Sequence, residues 1–145
     1  MIAYADTSFL ASLYGTDANS EQAINQVETL RPMFVITPFG ELEFITAFEA
    51  LVFRKILSAA ESDESMRAFR ADLVMGILSR KPVPENAFGR AIALSRLHTR
   101  SLGCRTLDIL QVAIALELDA EIFFTFDKDQ ARLAKRSGLT VRPVR

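Results

Sequence analysis

The chain has very little of several residue types that announce a particular chemistry. Cys104 is its only cysteine, so it cannot form an intrachain disulfide or build a metal site from thiolates. Such sparing use of thiols points to a reducing, cytoplasmic setting. There is no tryptophan and one histidine, His98, which leaves little scope for imidazole acid–base catalysis. No apolar run approaches the roughly 20 residues of a membrane span, so no membrane association is expected. The first residues lack the basic stretch of a secretory signal, and Asp6 interrupts what would be its apolar region. A net charge of −1 gives no global attraction to a polyanion.

What is present is an ordinary globular composition. Half of the 145 residues are hydrophobic and 11 are phenylalanine, enough for one domain over residues 1–145 with a real core. The charge is unevenly spread. Residues 1–89 carry 7 Lys/Arg against 12 Asp/Glu, and residues 90–145 carry 10 against 6. A basic half beside an acidic pocket suits a polyanion and its cations, although a solvated mixed-charge surface explains the same distribution.

Hydrophobic periodicity alternates between strand-like and helix-like. "IAYA" reads as a short buried strand, and Thr7–Tyr14 as a helix closed near Gly15. Ser20 is placed to cap a second helix with Ala23, Ile24, Val27 and Leu30 on one face, ended by Pro32. "MFVIT" is a second β-rich run, and Pro38 opens a helix through Leu42, Ile45, Phe48, Val52 and Leu57. Residues 62–78 keep Met66, Phe69, Leu73 and Ile77 in helical phase. "KPVP" is a rigid connector to a helix over about residues 85–100, broken by Gly103. Thr106 is placed to cap the very apolar helix "LDILQVAIALEL". "EIFFTF" is a third buried strand, "DKDQARLAKRSG" a helix with Gly138 at its C-cap, and "LTVRPV" a final short strand. Short apolar strands separated by helices imply the α/β class: a parallel sheet of about four to five strands, covered on both faces. Ligands bind such sheets beyond the carboxyl ends of the strands, which is where Asp6 and Asp127 fall.

Four acids lie just after strands or in early helical turns: Asp6, Glu43, Asp108 and Asp127. Each alone has an ordinary explanation. Asp6 and Asp127 suit N-caps, Asp108 complements a helix dipole, and Glu43 suits an exposed helical position. Asp108 is the hardest to dismiss, because it is embedded in "RTLDILQVAIAL", where a carboxylate is costly unless paired or metal-bound. Carboxylates brought together are reconciled by a hard divalent cation, and Mg²⁺ or Mn²⁺ takes oxygen ligands. Such an ion orients water and stabilises charge on a phosphate under attack.

In order and spacing, "YADTSFL", "TPFGELEF", "RTLDILQVAIAL" and "FFTFDKDQARLAKRSGL" resemble the motifs of PIN-domain ribonucleases, above all the VapC toxins of toxin–antitoxin pairs. The resemblance spans nearly the whole chain. It implies a small parallel sheet flanked by helices, and Mg²⁺- or Mn²⁺-dependent cleavage of RNA to 5′-phosphate and 3′-hydroxyl ends. It also implies a homodimer and a cognate antitoxin that covers the active site. Asp6, Glu43, Asp108 and Asp127 match the family's four acids, which hold metal and act in catalysis. Glu43 takes the second place because it lies six residues after Thr37, with Glu41 as its rival. Ser8 resembles the small hydroxyl residue that supports the first Asp, and Thr125 the hydroxyl residue ahead of the fourth acid. Gln111 stands where related sequences often carry His. It can hydrogen-bond a carboxylate or phosphate but cannot titrate near neutrality.

Arg100 and Arg105 flank the loop leading to Asp108 and are the candidates for RNA phosphate contacts. His98 is expected to be a surface residue or a helix-dipole partner, and Cys104 to be structural. Two other functions compete. A receiver-type phosphoacceptor domain also gathers acids and Mg²⁺ at strand ends, but it needs a late Lys-Pro. Here Lys81 and Pro82 precede both Asp108 and Asp127. A PIN-like module that only binds RNA or protein has no need of all four acids.

Overall fold

The computed structural model describes residues 1–144. Five short strands, β1 (Ile2–Ala5), β2 (Met33–Ile36), β3 (Leu78–Arg80), β4 (Ile122–Phe124) and β5 (Thr140–Arg142), form one parallel sheet in the order β3-β2-β1-β4-β5. Parallel neighbours need long crossovers, and helices supply them. α1 (Thr7–Tyr14) and α2 (Ser20–Leu30) lead from β1 to β2, and α3 (Pro38–Phe53) and α4 (Ala59–Val74) from β2 to β3. α5 (Ala87–Leu102) and α6 (Thr106–Glu117) lead to β4, and α7 (Lys128–Arg136) leads to β5. The chain therefore moves outward from β1 to β3 and then crosses to build β4 and β5 on the other side. That reversal puts the topological switch point between β1 and β4, where a crevice opens at the carboxyl ends.

Strand alternation divides the core in two. Ala3, Ala5, Phe34, Ile36 and Phe124 join Phe9, Phe44, Phe48 and Phe69 in one cluster. Tyr4, Val35 and Phe123 join Leu94, Val112, Ile114 and Leu133 in the other. α6 is buried without a break from Ile109 to Ala115, as its lack of a polar face requires. Phenylalanines bind α3, α4 and α1 together. The Phe44 ring stacks on Phe69 at 4.2 Å, lies 4.9 Å from Phe48 and meets Tyr14 edge-on at 5.8 Å.

Residues 62–78 are not one helix. Ser58 caps α4 in a reciprocal capping box with Glu61, so the helix starts at Ala59 and ends at Val74. Gly76, at φ +78°, turns the chain into β3. Ile77, in helical phase with Leu73, is exposed, whereas Leu78 is buried opposite Phe34. The helical phase of the preceding residues thus ran into the strand and hid it. α3 stops at Phe53, short of Leu57. Ser20 and Thr106 are the first helical residues of α2 and α6 rather than their caps, with Asn19 and Arg105 at the cap positions. His98 is only 8% exposed, against expectation; it lies one turn after Leu94 on the inner face of α5. Among the described residues, no helix is long and apolar enough to cross a membrane.

Phe44→Ala should lower unfolding free energy by about 3–5 kcal/mol, because three rings lose their packing partner. Urea denaturation measures this, and a loss below about 1 kcal/mol would show that the aromatic cluster does not anchor α4.

Candidate functional site

β1 ends at Ala5, and Asp6 turns the chain into α1. Its N–H still belongs to the sheet, donating to the Phe124 carbonyl at 3.0 Å, while its side chain caps α1 through Phe9 N at 3.0 Å. At 5% exposure this carboxylate needs further partners. Ser8 Oγ donates to Oδ1 at 2.6 Å, and Thr125 Oγ1 donates to Oδ2 at 2.5 Å. The same two hydroxyls fix the chain after β4. Phe126 N donates to Ser8 Oγ at 3.0 Å, and Asp127 N to Thr125 Oγ1 at 2.9 Å. Asp127 then caps α7, its Oδ1 accepting from Asp129 N at 2.8 Å and Gln130 N at 3.0 Å. That cap engages only Oδ1, leaving Oδ2 outside it.

The other two acids come from helices on opposite faces of the sheet. Thr37 caps α3 through Gly40 N, which brings Glu43 over the crevice within 3.5 Å of Thr7 Oγ1. Gln111 Nε2 donates to Glu43 Oε1, and the buried Tyr4 hydroxyl donates to Gln111 Oε1. Asp108 occupies the first turn of α6, with Oδ2 3.7 Å from Arg105 Nε. Its carbonyl accepts from Gln130 Nε2 at 3.2 Å. Asp6, Glu43, Asp108 and Asp127 thus line one cleft of about 150 Å³, together with Ser8, Gln111 and Gln130.

The cleft resists ionisation. Burial raises Asp6 from its ordinary 3.8 to about 6, against the Ser8 and Thr125 hydroxyls and the Phe9 N–H, with the charge of Asp127 adding to the rise. Glu43 is raised by burial, which the Gln111 amide opposes and Asp108 reinforces. Asp108 is raised by burial and then by Asp127, with Arg105 opposing. Like charges sharing a desolvated pocket produce this pattern, and a bound cation reverses it. The donors are all carboxylate oxygens, the chemistry a hard cation prefers. Among the described residues, however, no group of three or more His, Cys, Asp or Glu is arranged to hold a metal ion. The fold gathers the donors around one cleft without pre-forming a coordination cage.

The family model of the PIN domain matches residues 3–136. The chain belongs to the PIN-domain family. Its fold is similar to that of VapC20 from Mycobacterium tuberculosis, a sarcin–ricin loop cleaving toxin, at 19% identity and a TM-score of 0.69 over 97% of this chain and 99% of that one. It is similar to VapBC2 from Rickettsia felis, bound to a DNA fragment from the promoter, at 14% identity and a TM-score of 0.69 over 98% of each chain. A third similar structure is VapBC-1 from nontypeable Haemophilus influenzae, at 16% identity and a TM-score of 0.66 over 98% of this chain and 97% of that one. No curated protein matches the chain by sequence.

In this PIN domain all four expected acids, with Ser8, Thr125 and Gln111, meet in or directly behind the cleft. Glu41 does not. Two residues along a helix is a rotation of about 200°, and Glu41 pairs instead with Arg80 Nε and Nη2 at 3.1 and 3.0 Å. Arg105 stands beside Asp108, whereas Arg100 is exposed on α5 and does not line the cleft. The Cys104 thiol is pushed up by burial and by Asp108, the opposite of an activated thiolate. Sequence reasoning missed Tyr4 and Gln130. Gln130 had a signal, since it occupies the apolar phase of α7 with Leu133 and Ala134. Tyr4 had none, because its hydroxyl meets Gln111 only after folding.

Asp6 carries a stability prediction of definite sign. The folded state holds this proton more tightly than the unfolded chain, so the cost of ionising it is absent below about pH 4 and grows as pH rises through about 6. Asp6→Asn keeps a capping side chain without the charge. It should remove that slope and raise stability at neutral pH by about 1–3 kcal/mol. Urea titrations of both proteins across this interval decide the point, and parallel slopes would mean that Asp6 does not titrate as a buried acid.

Proposed function

We propose that this PIN domain is a divalent-metal-dependent ribonuclease, the toxin of a cytoplasmic toxin–antitoxin pair, assembled as a homodimer. The observation that carries the reading is the convergence of Asp6, Glu43, Asp108 and Asp127, from four separate elements, on one cleft at the switch point of the sheet. The similar folds of an RNA-loop-cleaving toxin and of VapBC proteins support it.

Asp6, Asp108 and Asp127 would hold Mg²⁺ or Mn²⁺, directly or through water, with Glu43 completing the pocket. Bound there, the cation would stabilise the charge that develops as water attacks the phosphorus in line and the 3′-oxygen leaves. The protein's own contribution is positioning. Ser8, Thr125 and Phe9 N fix Asp6 before anything binds. Gln111 holds Glu43 by Oε1, and Tyr4 holds Gln111 so that its amide donors face the acid. Glu43, held in the cleft by Gln111, is placed to orient the attacking water and take its proton. Gln111 steers that acid without exchanging a proton itself. An antitoxin of the family kind would set an Arg among these carboxylates, where a bidentate pair is favourable, and would compete with metal.

Cleavage of single-stranded RNA with Mn²⁺ and with EDTA tests this reading. The wild type should cut only with metal, leaving 5′-phosphate ends, and Asp108→Asn should lose about 100-fold or more in kcat. Cleavage that persists in EDTA or in Asp108→Asn would overturn it. Mn²⁺ should also raise the thermal midpoint of the wild type, by binding only the folded state, and do so much less for Asp108→Asn.

The two glutamates of α3 should separate cleanly. Glu43→Gln should abolish most cleavage with little change in melting. Glu41→Gln should lose only an exposed ion pair with Arg80, worth about 0–1 kcal/mol, and keep its activity. Paired rate and melting measurements compare them, and the reverse ranking would show that the second acid is Glu41.

A further inference from the structure

An acidic cleft repels RNA, so a strand must reach it along a cationic surface. One adjoins it. A groove of about 130 Å³ lies between α7 and β5, with Lys128, Arg132 and Lys135 along its wall and Thr125 and Asp127 at its head. Asp127 also lines the acidic cleft, and Thr125 holds Asp6, so the groove and the cleft meet at Asp127. At about 100° per residue, positions 128, 132 and 135 fall within about 60° on one flank of α7. Gln130, Leu133 and Ala134 take the buried flank.

The three cations are exposed. Among the described residues only Arg132 has an ion-pair partner here, Asp129 at 3.3 Å, and with both side chains mostly exposed that pair is weak. Helix electrostatics explain Lys135, which lies in the last turn, but not Lys128, which lies in the first turn, where the dipole disfavours a cation. Val141, itself a core residue, and Pro143 close the floor of the groove. Arg105 stands apart from this row, beside Asp108 at the start of α6.

We propose that the α7–β5 groove is the path by which an RNA strand enters the cleft, with Lys128, Arg132 and Lys135 contacting phosphates on one side of the bond to be cut. The proposal rests on the ribonuclease reading above.

The test uses a short fluorescein-labelled single-stranded RNA and the full chain carrying Asp108→Asn to prevent cleavage. Affinity is measured over a series of KCl concentrations. Adding Lys128→Ala, Arg132→Ala and Lys135→Ala together should weaken binding about ten-fold or more and flatten the salt slope by about two. Arg100→Ala with Arg105→Ala should flatten it by less than about one. If the triple variant melts early, the single charge reversal Lys135→Glu is measured instead and should weaken binding in the same direction. Should the wild type neither bind nor cut RNA, the ribonuclease reading itself fails. RNA cleaved by the wild type but bound by the triple variant with unchanged affinity and slope would overturn the path alone. So would unchanged RNA binding with loss of binding to poly-glutamate, which would assign the groove to an acidic protein partner.

Discussion

A carboxylate buried at the end of the central strand is the constraint around which this domain is arranged. Asp6 stays in the interior because four hydrogen bonds meet there. Its N–H continues the β1–β4 ladder, its Oδ1 caps α1, and the Ser8 and Thr125 hydroxyls hold its two oxygens. Thr125 lies beyond β4, so the bond to Asp6 couples the two strands on either side of the switch point. It adds a side-chain tie to strands that the sheet already pairs, Ala5 beside Phe124. Capping a helix and lining the cleft therefore fall to one carboxylate at the strand end.

This arrangement costs stability and concentrates that cost at the cleft. Asp6, Glu43 and Asp108 are all pushed toward protonation by burial. Gln130 holds its amide nitrogen on the Asp108 carbonyl while its Oε1 is buried without a partner among the described residues, at a cost of about 1–3 kcal/mol. The two aromatic-rich and aliphatic cores on either face of the sheet offset these terms. A site destabilised in this way is expected where function, rather than folding, sets the residues.

Neutral polar side chains carry out much of the positioning. Gln111 links Tyr4 to Glu43, and the end of its amide that faces the cleft is fixed because a carboxylate can pair only with the amide nitrogen. An imidazole in the same place would bring a titratable group. The amide instead makes the orientation of Glu43 independent of its own protonation. Ser8 and Thr125 act similarly, accepting from the backbone after β4 while donating to Asp6.

The parallel α/β architecture and the acids at its strand ends were legible in the sequence, because short continuous apolar runs and helical faces of period 3.6 differ over even a few residues. The motif spacing around Asp6, Glu43, Asp108 and Asp127 was legible for the same reason, since each follows a recognisable element boundary. β3 was not, because Ile77 continued the helical phase of Leu73 and hid the strand behind it. Helix caps misled at Ser20 and Thr106, where a hydroxyl one place inside the helix looks the same in sequence as a cap. Only tertiary structure decided that Glu43 faces Gln111 while Glu41 turns away to Arg80, that His98 is interior, and that the lysines of α7 share a groove with Asp127. Those facts depend on how elements far apart in the chain pack together, and local sequence does not encode that geometry.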